Sequence, residues 1–277
     1  YLCCFNNKKE LLSIITIGKN ANGSVPSLED IHLFSILSTQ LTNTLQQIKQ
    51  NRLSAQIDLA KNIQNELIPN KFNLDGCTVE THFQATDEIG GDYYDIFKKN
   101  KHTWIILGDI SGHGIGSGLI MFMVQSIFSS LIHTIDVQKP STLNKLANTI
   151  LCENFKRLTD PRPMTIATLY TNNGNDFFIH GSHETIFIYE KQTNQTKHIQ
   201  LTQIPFGIGL TEDIDNKHFN DTSFSLNEGD ILLMCTDGII EATQKGNSSE
   251  IEYGEERLIS ILNAHAKSNV SVIKEKI

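Results

Sequence analysis

Basic residues are scarce in this chain: 23 lysines and arginines stand against 31 aspartates and glutamates among 277 residues, a formal net charge of −8. Proteins that hold nucleic acid bind its phosphate backbone through surfaces rich in lysine and arginine. We therefore expect no nucleic-acid partner.

Cysteines and long apolar runs are scarce as well. The five cysteines contain no Cys-x-x-Cys pair and form no dense framework, which is typical of thiols in a reducing compartment and predicts a cytoplasmic protein. Apolar runs such as 119–124 and 231–235 fall far short of the ~20 residues of a membrane helix. We expect no membrane span in this segment.

What the chain does contain is enough apolar material for a core. A hydrophobic fraction of 39%, with 8% aromatic residues, excludes a disordered chain. The length is about twice the ~150 residues of a typical domain, so we expect one large domain and a smaller element.

The segment 27–69 is predicted to be a long helix. Ser27 offers an N-cap followed by acidic residues, no glycine or proline interrupts residues 27–67, and Pro69 ends the segment. The spacing favours a linker helix that forms a dimeric coiled coil, and hence a homodimer; a single helix packed on a globular neighbour is the alternative. Apolar or small residues recur at steps of three and four, interrupted by Arg52 in the middle, at Phe34, Leu37, Leu41, Leu45, Ile48, Ala55, Leu59, Ile63 and Leu67.

After Gly76 strand-like and helical runs are mixed. Two adjacent helical runs follow the first strands, more strands come next, and a helix ends the pattern. This order predicts an α+β fold in which helices cover antiparallel sheets. The strand-like runs are 78–86, 103–108, 164–170, 176–180, 185–190, 197–201, 222–226 and 230–235, and the helical runs are 118–135, 142–158 and 255–265.

Three aspartates, Asp92, Asp109 and Asp237, each stand beside a glycine at the rim of a predicted strand. A single Asp-Gly pair is most often only a solvated turn. If the fold brings all three together, however, their mutual repulsion requires a cation. Oxygen ligands without a His/Cys cluster favour Mg²⁺ or Mn²⁺ over zinc.

The segments 90–95 (GGDYYD), 108–114 (GDISGHG) and 229–242 (GDILLMCTDGIIEA), in this order, resemble the SpoIIE/RsbU-type branch of the metal-dependent protein phosphatase 2C (PPM) family. Residues 60–69 resemble the helix that enters such domains. The resemblance implies a protein phosphatase 2C-like αββα sandwich, two stacked antiparallel sheets flanked by helices, over residues 70–277. It also implies a phosphoserine/phosphothreonine protein phosphatase of bacterial signalling, with a phosphorylated anti-sigma-factor antagonist of STAS type as its substrate.

In that family two Mn²⁺ or Mg²⁺ ions share a bridging carboxylate and a water that attacks the phosphoryl group. Carried over to this sequence, the resemblance makes Asp109 the bridging ligand and Asp92 and Asp237 ligands of the two ions. Ile110 would add its backbone carbonyl. A bound divalent ion lowers the pKa of its water towards ~7, so hydroxide becomes available at neutral pH.

Other positions near these segments have two interpretations each. His113 could give a proton to the leaving alkoxide or could be structural. Asp95 could accept a hydrogen bond beside the ligands or cap its turn, and His183 could lie near the site or serve only the end of its strand. The glycines at 112–118 could also form a nucleotide loop, but no P-loop lysine follows. Glycines that would let the backbone approach the ions are Gly91, Gly112 and Gly238.

The two ends of the chain are expected to belong to incomplete domains. Residues 1–26, which begin without Met, resemble the C-terminal remnant of a GAF-like sensor domain. The family's last strand, with Asp-Asp-x-Thr, does not occur before Ile277, so we expect a truncated chain with reduced metal occupancy. A phosphatase-fold module that has lost catalysis and serves regulation or dimerisation is the alternative. A diguanylate cyclase rests on residues 90–92 alone and leaves the later acidic turns unexplained.

Overall fold

The computed structural model describes residues 2–5, 11–15, 18–19, 23–69, 72–74, 76–85, 89–204, 207–243 and 251–277. The chain divides into two units, residues 1–61 and 62–277. In the first unit, strands β1 (Leu2–Phe5) and β2 (Leu11–Ile15) pair antiparallel. Both belong to the segment 1–26, of which residues 1, 6–10, 16–17 and 20–22 lie outside the described residues.

Helix α1 covers Leu28–Leu67, close to the predicted 27–69. The Ser27 hydroxyl accepts a hydrogen bond from the Asp30 N–H at 3.1 Å, while the Asp30 carboxylate accepts one from the Ser27 N–H at 2.8 Å. This reciprocal pair satisfies two backbone donors at the helix start. Large apolar side chains along the helix are exposed, Leu33 by 55% and Leu59 by 61%. The long helix is confirmed, and the coiled coil stays a prediction.

The second unit contains one seven-stranded antiparallel sheet and a small separate strand pair. The sheet strands are β5 (Asp92–Lys99), β6 (His102–Ile110), β7 (Met164–Thr171), β8 (Asp176–Glu190), β9 (Gln195–Thr202), β10 (Thr222–Ser225) and β11 (Ile231–Leu233), and the pair is β3 (Asn73–Leu74) with β4 (Cys77–Thr78). The spatial order is β10-β8-β7-β6-β5, and β9 and β11 also pair with β8. The helices are α2 (Ile115–Thr134), α3 (Pro140–Phe155), α4 (Asp237–Ile240), α5 (Glu255–His265) and α6 (Val270–Lys276).

Strand β8 joins the two halves of this sheet. Its first half lies between β7 and β10, and its second half lies between β9 and β11. The pairing with β9 shifts between His183 and Ile186, and a shift of this kind changes which residues face each side of a strand. Phe177 and Ile179 before the shift and Ile186 after it therefore reach the same core.

Three hydrophobic clusters separate four layers of structure. The first cluster, around Trp104 and Phe128, lies between helices α2 and α3 and the sheet. The second contains Leu169 of β7 and Leu201 of β9 and fills the space between the two halves of the sheet. The third lies beneath α5 and α6, where Leu258 is fully buried. This helix, sheet, sheet, helix order agrees with the expected α+β sandwich.

Several element boundaries differ from the sequence predictions. The runs 176–180 and 185–190 belong to the single strand β8, because the irregularity after His183 lets the chain continue from one half of the sheet into the other. Residues 79–85 pair with no strand among the described residues; there the Thr81 hydroxyl donates to the Pro69 carbonyl at 3.4 Å. Helix α6 was not predicted, although the Asn269 side chain caps it by accepting from the Ser271 N–H at 3.2 Å.

Helix α2 is long and apolar enough for its length and composition alone to permit a membrane span, and it is the one such helix in the described part of the chain. Half of its apolar window is buried, with Met121, Val124 and Phe128 in the first cluster. The same composition is expected of a helix that packs in the core of a domain.

Candidate metal centre

Strand pairing places two of the three aspartates side by side. Asp92 begins β5, Asp109 lies near the end of β6, and the two residues are direct cross-strand partners. Such partners have Cβ atoms ~5 Å apart. The register of β5 and β6 therefore brings two carboxylates together at one edge of the sheet.

Asp237 reaches the same place from the other half of the sheet. It opens the short helix α4, four residues after the end of β11, which pairs with the second half of β8. One carboxylate oxygen from each of Asp92, Asp109 and Asp237 lies within 4.8 Å of the others. The Thr236 hydroxyl also donates a hydrogen bond to Asp92 Oδ2 at 3.2 Å. The three acidic turns thus converge as the sequence predicted.

The pKa values show the cost of this convergence. Burial, followed by the charges of Asp92 and Asp237, raises the pKa of Asp109 from 3.8 to about 7. Burial also raises the pKa of Asp92, and the hydrogen bond from Thr236 partly offsets the increase. A bound cation would remove this repulsion, and an all-oxygen set of donors fits a hard divalent ion.

Gly91 allows β5 to approach the turn that follows Asp109. A Cβ atom at this position would lie 2.9 Å from the Ile110 carbonyl oxygen and 3.3 Å from the Gly112 carbonyl oxygen. The Ile110 N–H in turn donates to the Gly91 carbonyl at 3.4 Å. At Gly238, by contrast, a Cβ atom would be 3.9 Å from Asp92 Oδ2, an ordinary contact. Gly91 is therefore required by close packing, whereas Gly238 is not.

Gln64 is a part of this centre that the sequence analysis did not identify. Its side chain is fully buried. Its Nε2 donates to the Gly90 carbonyl at 2.9 Å, and its Oε1 accepts from the Gly90 N–H at 3.1 Å. Both polar groups of the amide are thus paired with the backbone two residues before Asp92. The available signal was its spacing of seven from Ile57 and four from Ile68, which places the three residues on one helix face.

The structure places Asp95 away from the carboxylate cluster. Asp95 lies three residues after Asp92 in β5 and so faces the other side of the strand. It is buried there, and it accepts hydrogen bonds from the Ile96 N–H at 2.8 Å, the Tyr93 hydroxyl at 3.3 Å and Gln125 of α2 at 3.5 Å. Asp95 caps no turn, because it lies inside a strand, and it connects β5 to α2.

The two histidines have different surroundings. His113 is exposed in the turn before α2, and its carbonyl accepts a hydrogen bond from Arg162 at 3.3 Å. His183 is half-buried in β8, and its Nδ1 lies 2.8 Å from the hydroxyl of Thr165, the cross-strand partner of Asp109. Burial lowers the pKa of His183 to about 4. His183 is therefore neutral at pH 7, and it contacts β7, the strand that pairs with the Asp109 strand β6.

Comparisons with known proteins agree with this architecture. A family model described as Stage II sporulation protein E (SpoIIE) matches residues 99–277. Phosphoserine phosphatase RsbP of Bacillus subtilis (strain 168) is 26% identical over 237 residues, covering 84% of this chain and 54% of RsbP. Protein IcfG of Synechocystis sp. is 23% identical over 254 residues, covering 82% of this chain and 39% of IcfG. The chain thus spans about half or less of these curated relatives.

Solved structures show the same fold. The SiaA-PP2C domain of Pseudomonas aeruginosa has a TM-score of 0.63 at 16% identity, covering 82% of this chain and 92% of that one. The RsbU and RsbW domains of Rv1364c from Mycobacterium tuberculosis have a TM-score of 0.54 at 16% identity, covering 69% of this chain and 50% of that one. The protein phosphatase 2C-like sandwich is therefore established for this chain.

Proposed function

The chain belongs to the SpoIIE family, and from this premise we propose that it is a metal-dependent phosphatase that acts on phosphoserine or phosphothreonine in a protein of bacterial signalling. The observation that carries the proposal is the convergence of Asp92, Asp109 and Asp237 within 4.8 Å. Solvated Asp-Gly turns would not be expected to meet in this way, because burial, followed by the charges of Asp92 and Asp237, raises the pKa of Asp109 to about 7.

The three carboxylates fit a hard divalent ion, and two Mn²⁺ or Mg²⁺ ions are proposed for this centre. Asp109 is proposed as the shared ligand, with Asp92 on one side and Asp237 on the other. The Ile110 carbonyl oxygen is proposed as a further ligand. It lies close to β5 because Gly91 has no side chain. When bound, such ions make hydroxide available at neutral pH and offset the charge of the phosphoryl group.

The remaining residues would hold this centre in position. Gln64 fixes Gly90 through two hydrogen bonds, and Thr236 orients the Asp92 carboxylate. We propose His113, in the exposed turn beside the centre, as the donor of a proton to the leaving alkoxide. Its exposure makes it accessible to a protein substrate.

The substrate and the assembly are proposed from the curated relatives and from helix α1. The name of the relative RsbP supports phosphoserine as the substrate class, and the sequence resemblance supports a phosphorylated STAS-type anti-sigma-factor antagonist. The exposed leucines of α1 support a homodimer formed through residues 27–69. We further propose that residues 1–26 belong to a GAF-like sensor domain, that residues 70–277 form the phosphatase domain and that the protein is cytoplasmic.

Phosphate release from a phosphoserine protein, measured with and without Mn²⁺ and EDTA in the full-length protein, tests the function. We expect Asp109→Asn to lower kcat by at least ~100-fold. Asp213→Asn, at an exposed position, makes the same chemical change and should retain wild-type activity. Mn²⁺-independent release, or normal Mn²⁺-dependent turnover by Asp109→Asn, would contradict the proposal. A folded wild-type protein without any turnover would indicate the non-catalytic regulatory module instead.

A further inference from the structure

Arg162 lies over the glycine turn that follows Asp109. A Cβ atom at Gly112 would be 3.0 Å from Arg162 Nη1, and one at Gly116 would be 3.0 Å from Arg162 Nη2. The Arg162 Nη1 donates to the His113 carbonyl at 3.3 Å. The guanidinium therefore packs directly on backbone that has no side chains. A surface cavity opens at this point, lined by Ser111, Gly112, His113, Asp160, Pro161 and Arg162.

This cavity lies further along the strand pair that carries Asp109. The pairing of Asp109 with Thr165 continues through Ile110 and Met164 to a hydrogen bond of 2.9 Å between the Ser111 N–H and the Pro163 carbonyl. Arg162 therefore follows Asp109 along the strand pair by about three residues, or ~10 Å of backbone.

A single glycine separates the guanidinium from the start of β5. One side of Gly112 faces Arg162. On its other side lies Gly91, the residue before Asp92, where a Cβ atom would be 3.3 Å from the Gly112 carbonyl oxygen. An anion held by Arg162 would thus lie at the edge of the metal centre.

Arg162 forms an ion pair with Asp160, and the two side chains differ in their exposure to solvent. Asp160 Oδ2 accepts hydrogen bonds from Arg162 Nε at 3.0 Å and from Nη2 at 2.8 Å. The Asp160 side chain is 71% exposed, whereas the Arg162 side chain is 24% exposed. The guanidinium is held by its packing, while the carboxylate lies in solvent. Exposed ion pairs of this kind contribute little to stability, so a competing anion can replace Asp160 at small cost.

We propose that Arg162 binds the phosphoryl group of the substrate and orients it towards the carboxylate cluster, and that Asp160 occupies the guanidinium until the substrate arrives. The inference rests on the proposed phosphatase function and assigns a binding residue to it. Arginine suits this role because its planar fork of N–H donors matches phosphate oxygens and is always charged. A positive group at the entrance also attracts a phosphate dianion to the centre.

The test measures binding of inorganic phosphate to the Mn²⁺-loaded full-length protein by calorimetry, after Mn²⁺ affinity has been measured for each variant. We expect Arg162→Ala to weaken phosphate binding by tenfold to a hundredfold, on the order expected for the loss of a charged hydrogen bond. KM for the phosphoprotein should rise by a similar factor, with Mn²⁺ affinity unchanged. Arg162→Lys should recover only part of the loss, because it keeps the charge but not the fork.

Two variants serve as controls. Arg157→Ala removes an arginine at an exposed position and makes the same change in net charge, so it should bind phosphate as the wild type does. Asp160→Asn should bind phosphate equally well or more tightly, because it removes the competing carboxylate.

Three results would overturn the inference. Wild-type phosphate affinity in Arg162→Ala would show that the guanidinium does not contact the phosphoryl group. Equal weakening in Arg157→Ala would reduce the effect to net charge. A loss of Mn²⁺ affinity in Arg162→Ala that matches its loss of phosphate affinity would make Arg162 a structural support of the turn. An absence of Mn²⁺-dependent phosphate release in the wild type would instead contradict the proposed function, and the binding data distinguish the two failures.

Discussion

Replacement of Asp109 by asparagine should stabilise the metal-free protein while it abolishes metal-dependent stabilisation. Asp109 faces Asp92 across the strand pair and lies beside Asp237. Its carboxylate is destabilised by burial and by these two charges, which raise its pKa from 3.8 to about 7. Asparagine keeps the shape of the side chain but carries no charge, so it removes this repulsion.

The direction of the pH dependence follows from proton linkage. Between pH 4 and 7 the folded protein binds more protons at Asp109 than the unfolded chain does, so stability falls as pH rises through this range. A shift of about three pKa units corresponds to ~4 kcal/mol as an upper bound. Solvent screening and coupling to Asp92 reduce this to on the order of 1–2 kcal/mol. At ~2–4 °C per kcal/mol for a domain of this size, Asp109→Asn should raise Tm by roughly 2–8 °C at pH 8 in EDTA.

The assay is thermal unfolding of the wild type, Asp109→Asn and Asp213→Asn, each in EDTA and in Mn²⁺. Mn²⁺ should raise the Tm of the wild type and of Asp213→Asn, because a ligand that binds only the folded state stabilises it. It should leave the Tm of Asp109→Asn nearly unchanged. If Asp109→Asn melts at or below the wild-type temperature in EDTA at pH 8, the argument from carboxylate repulsion is wrong.

Three further predictions concern the surroundings of this cluster. Gln64→Ala removes both hydrogen bonds to Gly90, so urea unfolding should find the free energy of unfolding lowered by about 1–3 kcal/mol. The variant should also bind Mn²⁺ more weakly. Unchanged Mn²⁺ affinity would show that Gln64 does not position β5. Gly91→Ala places a Cβ 2.9 Å from a carbonyl oxygen, while Gly238→Ala makes only ordinary contacts. Calorimetry should therefore find Mn²⁺ binding weakened in Gly91→Ala and nearly normal in Gly238→Ala. Equal effects in the two variants would contradict this account. Because burial holds the pKa of His183 near 4, its contribution to stability is present above pH 6.5 and is lost as pH falls towards 4; His183→Asn should flatten this part of the pH profile of Tm, and an unaltered slope would refute it.

Local patterns in the chain were sufficient to predict much of the fold. The cap at Ser27, the absence of glycine and proline, the three- and four-residue spacing and Pro69 predicted a helix that the structure places at Leu28–Leu67. Caps and periodicity act over a few residues, so they can be read without knowledge of the rest of the chain. The acidic turns were predicted as metal ligands on the same basis, because oxygen donors beside glycine favour a hard cation.

Features that depend on contacts between distant segments were not predictable in this way. The single strand β8 was expected as two strands, because local patterns do not show that the irregularity after His183 joins two halves of one sheet. Asp95 was a candidate because it lies in the acidic segment 90–95, but the alternation of side chains along β5 directs it towards Gln125 of α2. The buried amide of Gln64 gains its meaning only from Gly90, which lies 26 residues away.

The chemical character of the centre was therefore present in the primary structure, since it depends on which atoms the side chains carry. The meeting of Asp92 with Asp109 required the register of β5 and β6, and the arrival of Asp237 required β8 to carry β11 to the same edge. Arg162 acquired a place beside this centre in the same way, through the continuation of the β6 and β7 pairing. Pairing between strands joins residues regardless of their separation in sequence, and for that reason only the folded chain brings these groups together.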